Sequence, residues 1–203
     1  MRGMMRRGVK MTDVLGAVND FILAYVWKKD SLPALAQNQI VRGWQNAVSA
    51  LPADIQEYVV ITLLSSERHG TNVHQYIPTK DDGLLNSVSR MAEHMVQADF
   101  CCAYPQAGEE TARQRAEILE MLTRDRIATV FYEQHGFSAC YAEGLRPMPF
   151  QNEAEQWVAR YSVTLHLSGW TSAEVPIDFF SNVNLYLENV DVHHPVPNKT
   201  EGE

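Results

Sequence analysis

The chain has 203 residues and a formal net charge of −8 at pH 7, and 45% of its residues are hydrophobic. It is long enough to bury its own core, and its composition is that of an ordinary globular protein. The acidic balance argues against a nucleic-acid-wrapping protein. Three cysteines without CxxC spacing argue against a disulfide framework and for a reducing compartment. No apolar run approaches the ~18 residues of a membrane span.

The domain organisation follows from composition along the chain. Residues 1–50 contain seven Lys/Arg and three Asp/Glu, whereas residues 151–203 contain two and eight, so the chain runs from basic to acidic. We treat residues 1–11 as an N-terminal extension, residues 12–192 as one α/β domain, and residues 193–203 as a disordered tail.

The first predicted elements are a helix and a buried strand. Residues 12–29 carry an apolar stripe at helical spacing, with Thr12 or Asp13 as the cap and Pro33 blocking continuation. The run "EYVVITLLSS" at 57–66 is short, apolar and rich in β-branched residues, which is typical of a buried strand. The members of the helical stripe are Val14, Leu15, Val18, Phe21, Ile22 and Tyr25.

Residues 66–86 show no hydrophobic period. The segment "ERHGTNVHQYIPTKDDG" is polar and rich in turn-forming residues. A loop of this length inside a compact domain is usually functional or mobile. We therefore predict a long loop here that is mobile in the free subunit and becomes ordered on assembly.

Regular elements return after the loop. Residues 86–105 alternate as a second long strand, and residues 108–135 carry helical spacing with a break near Asp125 and an end at Gly136. Strands are predicted over 137–145, over the long run discussed next, and over residues 182–192. The predicted inward side chains of the second strand are Ala92, Val96, Ala98, Phe100 and Cys102, and those of the helix are Ala112, Ala116, Leu119 and Leu122.

The run "EQWVARYSVTLHLSGW" at 155–170 has the strictest alternation in the chain. Apolar side chains occupy every second position from Trp157 to Leu167, and polar ones fill most positions between them, as in a half-buried strand. The alternation holds for about 14 residues, which is roughly 45 Å at ~3.3 Å per residue. Because that exceeds the ~25 Å of helix 108–124, we expect the end around Glu155–Arg160 to project and meet another subunit. Pro176 is expected in the connection that follows. Together these elements predict an α/β (α+β) fold with one mixed, mainly antiparallel sheet and helices on one face.

Candidate chemical groups are few and scattered. His193 and His194 beside Asp191 could hold a metal only with partners from elsewhere in the chain, and a solvated tail explains them as well. Glu67, His69 and His74 lie in the predicted loop, where no spacing identifies a catalytic or metal site. The carboxylate pairs Asp81/Asp82 and Glu109/Glu110 fit a turn and a helix first turn.

For the cysteines and His166, the face of the strand on which each residue lies predicts its environment. Cys102 belongs to the apolar face of its strand and is expected in the core, whereas Cys101 lies on the side of Asp99. A nucleophilic thiol paired with His94 is the alternative. His166 is on the polar face of the long strand and is expected in solvent or at an interface. No catalytic, cofactor-binding or metal site is predicted.

Several short segments, in order, resemble the tail-terminator or neck-terminator proteins of tailed bacteriophages. "WQN" (44–46), "LP" (51–52) and "YVVIT" (58–62) are similar to the start of that family, and the Gly-Thr pair of "HGTN" follows as it does there. The resemblance covers roughly residues 40–192. The N-terminal helix with its basic leader departs from the pattern, as do cysteines where the family often has Tyr and Gly. The later matching segments are "QADFCC" (97–102), "PFQNEAEQWVARYSVTLHL" (149–167) and "VPIDFF" (175–180).

The resemblance implies an α/β subunit of a virion, assembled in the host cytoplasm, that forms a hexameric ring, stops growth of the tail tube and joins the neck. It implies neither catalysis nor a cofactor. The implied partners are other copies of the chain, the tail tube protein and a neck or head-completion protein, with DNA passing through the lumen and no membrane contact. The predicted interface residues are Glu155, Gln156, Trp157, Val158, Arg160, His69, Thr71, Asn72 and Trp170.

Two alternatives stay open. A different head–tail connector or a tail-tube subunit would have a similar composition and similar long strands. A small cytoplasmic enzyme that uses the predicted 66–86 loop belongs to another class. The mass of the native particle separates them, since an enzyme should be a monomer or dimer and a terminator a ring.

Overall fold

A computed structural model of the chain describes six segments. Three predicted segments lie outside them: the extension 1–11, the last strand 182–192 and the tail 193–203. The described segments are residues 13–28, 31–43, 57–78, 84–103, 108–152 and 155–177.

The described residues form one mixed sheet of seven strands with helices packed on one face, which confirms the predicted fold class. The strand order is β1-β2-β3-β7-β4, and the short β5 and β6 also pair with β7. Only β1 and β2 run parallel among the described pairs. In chain order the elements are α1 (Val14–Tyr25), a 3-10 turn (Gln37–Gln39), β1 (Ile40–Arg42), β2 (Glu57–Pro78), β3 (Leu84–Ala103), α2 (Gly108–Thr123), α3 (Arg126–Gln134), β4 (Phe137–Ala142), β5 (Arg146–Pro147), β6 (Phe150–Gln151) and β7 (Trp157–Ile177).

Two of the helices begin at a capping aspartate, and the first of these caps was predicted. Asp13 caps α1 by accepting from the Gly16 amide at 2.9 Å, and Asp125 caps α3 by accepting from the Ile127 amide at 2.9 Å. The helix predicted over 12–29 is shorter in the structure and ends at Tyr25. Beyond it the Trp27 indole Nε1 folds back and donates to the Ala24 carbonyl at 2.8 Å.

The core lies between the helices and one face of β2, β3 and β7. The apolar face predicted for β3, including Cys102, is buried there, as is the face of β7 from Ala159 to Leu167. Arg115 of α2 is also buried, where it pairs with Glu57 and donates to the Val26 carbonyl at 2.8 Å. This arginine ties α1, α2 and β2 together, because a buried charge must be paired and hydrogen-bonded.

The prediction of a loop at 66–86 was wrong for residues 66–78 and 84–86, whereas residues 79–83 lie outside the described residues. Residues 66–78 continue β2, residues 84–86 begin β3, and the two strands pair without interruption from Val73/Ser89 outward to Pro78/Leu84. The segment lacks a period because both of its faces are exposed, so no burial selects alternate side chains. A bulge places residues 70–72 opposite the single Arg90, with Gly70 at φ +76°.

The projecting end of the sheet is the opposite end from the one predicted. Val158 pairs with Ala103 of β3 on one side and with Phe150 of β6 on the other, so this end of β7 has internal partners. The far end of β7 continues to Ile177 and contains Pro176, which was expected in a connection. There the sheet consists of residues 69–78, 84–91 and 170–177, a three-stranded extension that we call the ribbon. No residue of the ribbon is buried.

Candidate interaction surfaces

The predicted interface residues fall into two separate groups. Trp157 lies at the start of β7, whereas Trp170 lies thirteen positions further along the same strand, about 45 Å away at ~3.4 Å per residue. Trp170 is opposite Met91, which is opposite His69, so these three form one row across the base of the ribbon. The structure does not bring the two groups together.

The group near Trp157 forms a rigid exposed corner. Glu155 has φ +59°, and the Gln156 amide donates to the Asn152 side-chain oxygen at 2.9 Å, so a tight turn leads into β7. Trp157 is 54% exposed and lines a shallow concavity with its neighbours. We call this the Trp157 surface, and its members are Pro149, Glu155, Gln156 and Trp157.

The group at the base of the ribbon is tied to the core by a chain of polar contacts. Glu93 bonds His69 Nε2 at 2.9 Å through Oε2 and His166 Nδ1 at 2.6 Å through Oε1. The other nitrogen of His166 lies 3.2 Å from Glu143 Oε1, and the Tyr141 ring stacks on the imidazole. Hydrogen bonds from His166 and then His69 lower the pKa of Glu93. His166 was expected in solvent or at an interface, but its side chain is buried within the chain itself.

A groove of about 440 Å³ crosses the sheet face opposite the helices. Asp99 lies at its floor and accepts hydrogen bonds from Arg160 at 2.6 Å and from Ser162. Cys101 is buried beside it, and burial raises the pKa of its thiol to about 12. A thiol with that pKa is protonated at neutral pH and is a poor nucleophile.

The proposed pairing of a cysteine nucleophile with His94 is not supported. Cys101 and His94 are seven positions apart on β3, so they point to opposite faces of the sheet. His94 bonds the Ser66 hydroxyl at 3.0 Å and has its ring against Phe137. Cys102 is in the core, as predicted.

An exposed apolar surface on the helix layer was missed by sequence reasoning. Two adjoining concavities share Tyr25 and join the ends of α1 and α2 to α3. A signal was present in α3, where Ala128 and Tyr132 point inward while apolar residues also occupy the outward face. We call this the helix surface, and its members are Tyr25, Trp27, Met121, Ile127 and Val130.

Neither a metal site nor a membrane-spanning helix is found in the described residues. Among the described residues no group of three or more His, Cys, Asp or Glu side chains could hold a metal ion. Within the same segments, no helix has the length and apolar character needed to cross a membrane. The polar clusters at Glu93 and Asp99 therefore act as cross-strand ties, each carboxylate being held by cations or hydrogen-bond donors.

Comparison with known proteins identifies the family. No individual curated protein matched the sequence. A family model described as phage neck terminator protein matches residues 12–190, which includes every described segment. The chain therefore belongs to the phage neck terminator family and is a structural component of the tail or neck of a virion.

Proposed function

We propose that this protein forms a homohexameric ring that caps the tail tube, ends tail polymerisation and joins the tail to the neck or head. The ring assembles in the host cytoplasm and binds the tail tube protein and a neck or head-completion protein. The protein is not an enzyme and uses no cofactor, and it makes no membrane contact. DNA passes through the lumen without specific binding.

The ribbon is the observation that carries this proposal. It continues the sheet for about eight residues, roughly 27 Å, past the last residue pair between β4 and β7, which joins Phe137 to Gly169. β1 pairs only with residues 59–61 of β2, so no described strand covers the outer edge of β2 within the ribbon. A monomer usually blunts or covers such an edge, whereas an assembling subunit can use it for pairing.

The net negative charge of the chain supports a ring through which DNA passes without being bound. Six chains at −8 each carry 48 formal negative charges. Phosphate binding requires neutralising Lys and Arg side chains, so an acidic ring favours sliding. The enzyme alternative was based on an active-site loop at 66–86. The described part of that segment is a strand pair, which does not support this alternative.

The test is deletion of the gene from the parent phage, with the wild-type protein resupplied. We expect deletion to give tails of uncontrolled length that are not joined to heads, and resupply to restore both properties in negative-stain images. Native mass of the terminal assembly should correspond to six chains. Joined tails of normal length without the protein would overturn the proposal, and polymerisation of the protein into long tubes would identify a tail-tube subunit.

A further inference from the structure

Two exposed apolar surfaces of this chain lie too far apart to cover each other. The Trp157 surface is at the end of β7 that pairs with the end of β3. α2 begins at Gly108, five residues after β3 ends, and Met121 of the helix surface lies near the other end of that helix. Thirteen residues of α-helix span roughly 20 Å. Any contact between the two surfaces therefore requires a second copy of the chain.

Both surfaces have the composition and rigidity of binding anchors. Met121 is 62% exposed and Trp27 is 46% exposed, although single exposed apolar residues rather than clusters are the norm on a monomer. The Trp27 indole is held by its bond to Ala24, and the Tyr25 ring packs against Phe21 with centroids 5.1 Å apart. Anchors that are ordered before binding lose little conformational entropy, and Trp and Tyr dominate binding energy at interfaces.

The charges bordering the two surfaces are complementary. Lys28 and Arg126 line the concavities of the helix surface, and neither forms an ion pair with a described residue. Asp125 is also at this border, but its carboxylate is engaged as the cap of α3. The Trp157 surface instead presents Glu155, which pairs with no described cation.

Most other described carboxylates are already paired. Arginine side chains pair with the carboxylates of Asp99, Glu57 and Glu143. The carboxylate of Glu93 is hydrogen-bonded by His69 and His166. An exposed carboxylate beside an exposed tryptophan is therefore a distinctive feature of the Trp157 surface. Electrostatic complementarity of this kind sets the register and the choice of partner.

We propose that the Trp157 surface of one copy docks on the helix surface of the next copy, with Glu155 facing Arg126 and Lys28. This inference rests on the proposed ring, because it names the contact that would close it. The two surfaces are different patches, so the contact is heterologous: each copy gives one and receives one, and the series closes into a ring when the rotation allows.

The first test uses one substitution on each surface. Trp157→Glu and Ile127→Glu each place a charge in the contact, and both positions are exposed, so the variants should fold with near wild-type melting. Leu64→Glu is the matched control, since Leu64 is a comparably exposed apolar residue that lies outside both surfaces and outside the ribbon. Rings are counted by native mass spectrometry in solution and by negative-stain imaging on uncapped tail tubes.

We expect each surface variant to lose rings and the Leu64→Glu control to keep them. An equimolar mixture of the Trp157→Glu and Ile127→Glu proteins should give dimers, because one intact contact remains between the two variants. Retention of rings by either surface variant overturns the inference and leaves the proposed function standing. Absence of rings with the wild-type protein overturns both.

The second test reverses charges. Glu155→Arg and Arg126→Glu should each raise the protein concentration needed for ring formation at least tenfold. The double variant should recover most of the lost ring formation. A double variant no better than its single variants would overturn the assigned pairing. Rings that survive all surface variants but bind no tubes would show that these surfaces take a different virion protein, which also overturns it.

Discussion

Two halves of the same three strands differ in what holds them together. From Ala92 to Cys102, β3 is backed by helices and its inward side chains are buried, whereas from residue 84 to residue 91 the same strand lies in the ribbon with no buried residue. The backbone ladder with β2 and β7 nevertheless runs through both halves with matched partners. Cross-strand pairing alone therefore maintains the ribbon, while burial maintains the rest.

This difference predicts where stability and assembly reside. The helix-backed half should supply nearly all of the free energy of unfolding, since burial of apolar surface is the main favourable term. The ribbon should contribute little to that free energy and should tolerate substitution in the monomer. Substitutions in one half or the other test this difference.

The largest effect should come from Arg115→Ala. The change leaves Glu57 without its cation and the Val26 carbonyl without its donor in the helix-backed half. Removal of one partner of a buried pair costs about 3 kcal/mol or more. Chemical denaturation of the purified protein measures this cost. Arg113→Ala is the control, because Arg113 pairs with Glu110 in solvent and its loss should barely change the midpoint.

The next largest effect is expected from truncation to alanine in the helix-backed half of β7, compared with truncation to alanine in its ribbon half. Leu165→Ala empties a fully buried site and should cost about 3 kcal/mol. Val175→Ala removes an exposed side chain from the ribbon and should stay within about 0.5 kcal/mol. Urea unfolding followed by circular dichroism gives both values. Equal losses of unfolding free energy at the two positions would show that the ribbon is packed against another part of the protein and would contradict the difference between the two halves.

A smaller effect is expected at the core end of β3. Cys102→Ala removes one small buried group and should cost about 1 kcal/mol, with tail assembly retained. Burial raises the pKa of the Cys101 thiol to about 12, so alkylation at pH 8 should be slow until the protein unfolds. Iodoacetamide labelling followed by mass spectrometry tests this. Loss of function in a stable Cys102→Ala protein would point to thiol chemistry instead.

The smallest effect concerns the base of the ribbon. The pKa of Glu93 is lowered in the folded protein, so its carboxylate stabilises the fold above the ordinary glutamate value of about 4.3 and loses that contribution as the pH falls through the folded value. Glu93→Gln should therefore flatten the acid side of the stability curve. Melting temperatures between pH 3 and pH 7 provide the comparison, and identical slopes in both proteins would contradict it.

The residues alone determined the elements that are buried on one side. Alternation from Ala159 to Leu167 predicted β7, and the cap expected at Thr12 or Asp13 is Asp13, at the start of α1. The inward stripe of α2 was likewise visible as Ala112, Ala116 and Leu119. These predictions succeeded because a core selects apolar side chains at the period of the element, and a cap needs a particular side chain at one position.

The interaction surfaces depended on the tertiary structure. Residues 66–78 form a strand only because β3 pairs with them, and an element exposed on both faces leaves no hydrophobic period in its sequence. The end of β7 at Val158 is satisfied internally because β6 returns to it, which no spacing within β7 could reveal. The helix surface is assembled from three helices, so each apolar residue looked ordinary in its own segment. Local periodicity records what a core demands, whereas edges and composite surfaces are set by which distant segments become neighbours.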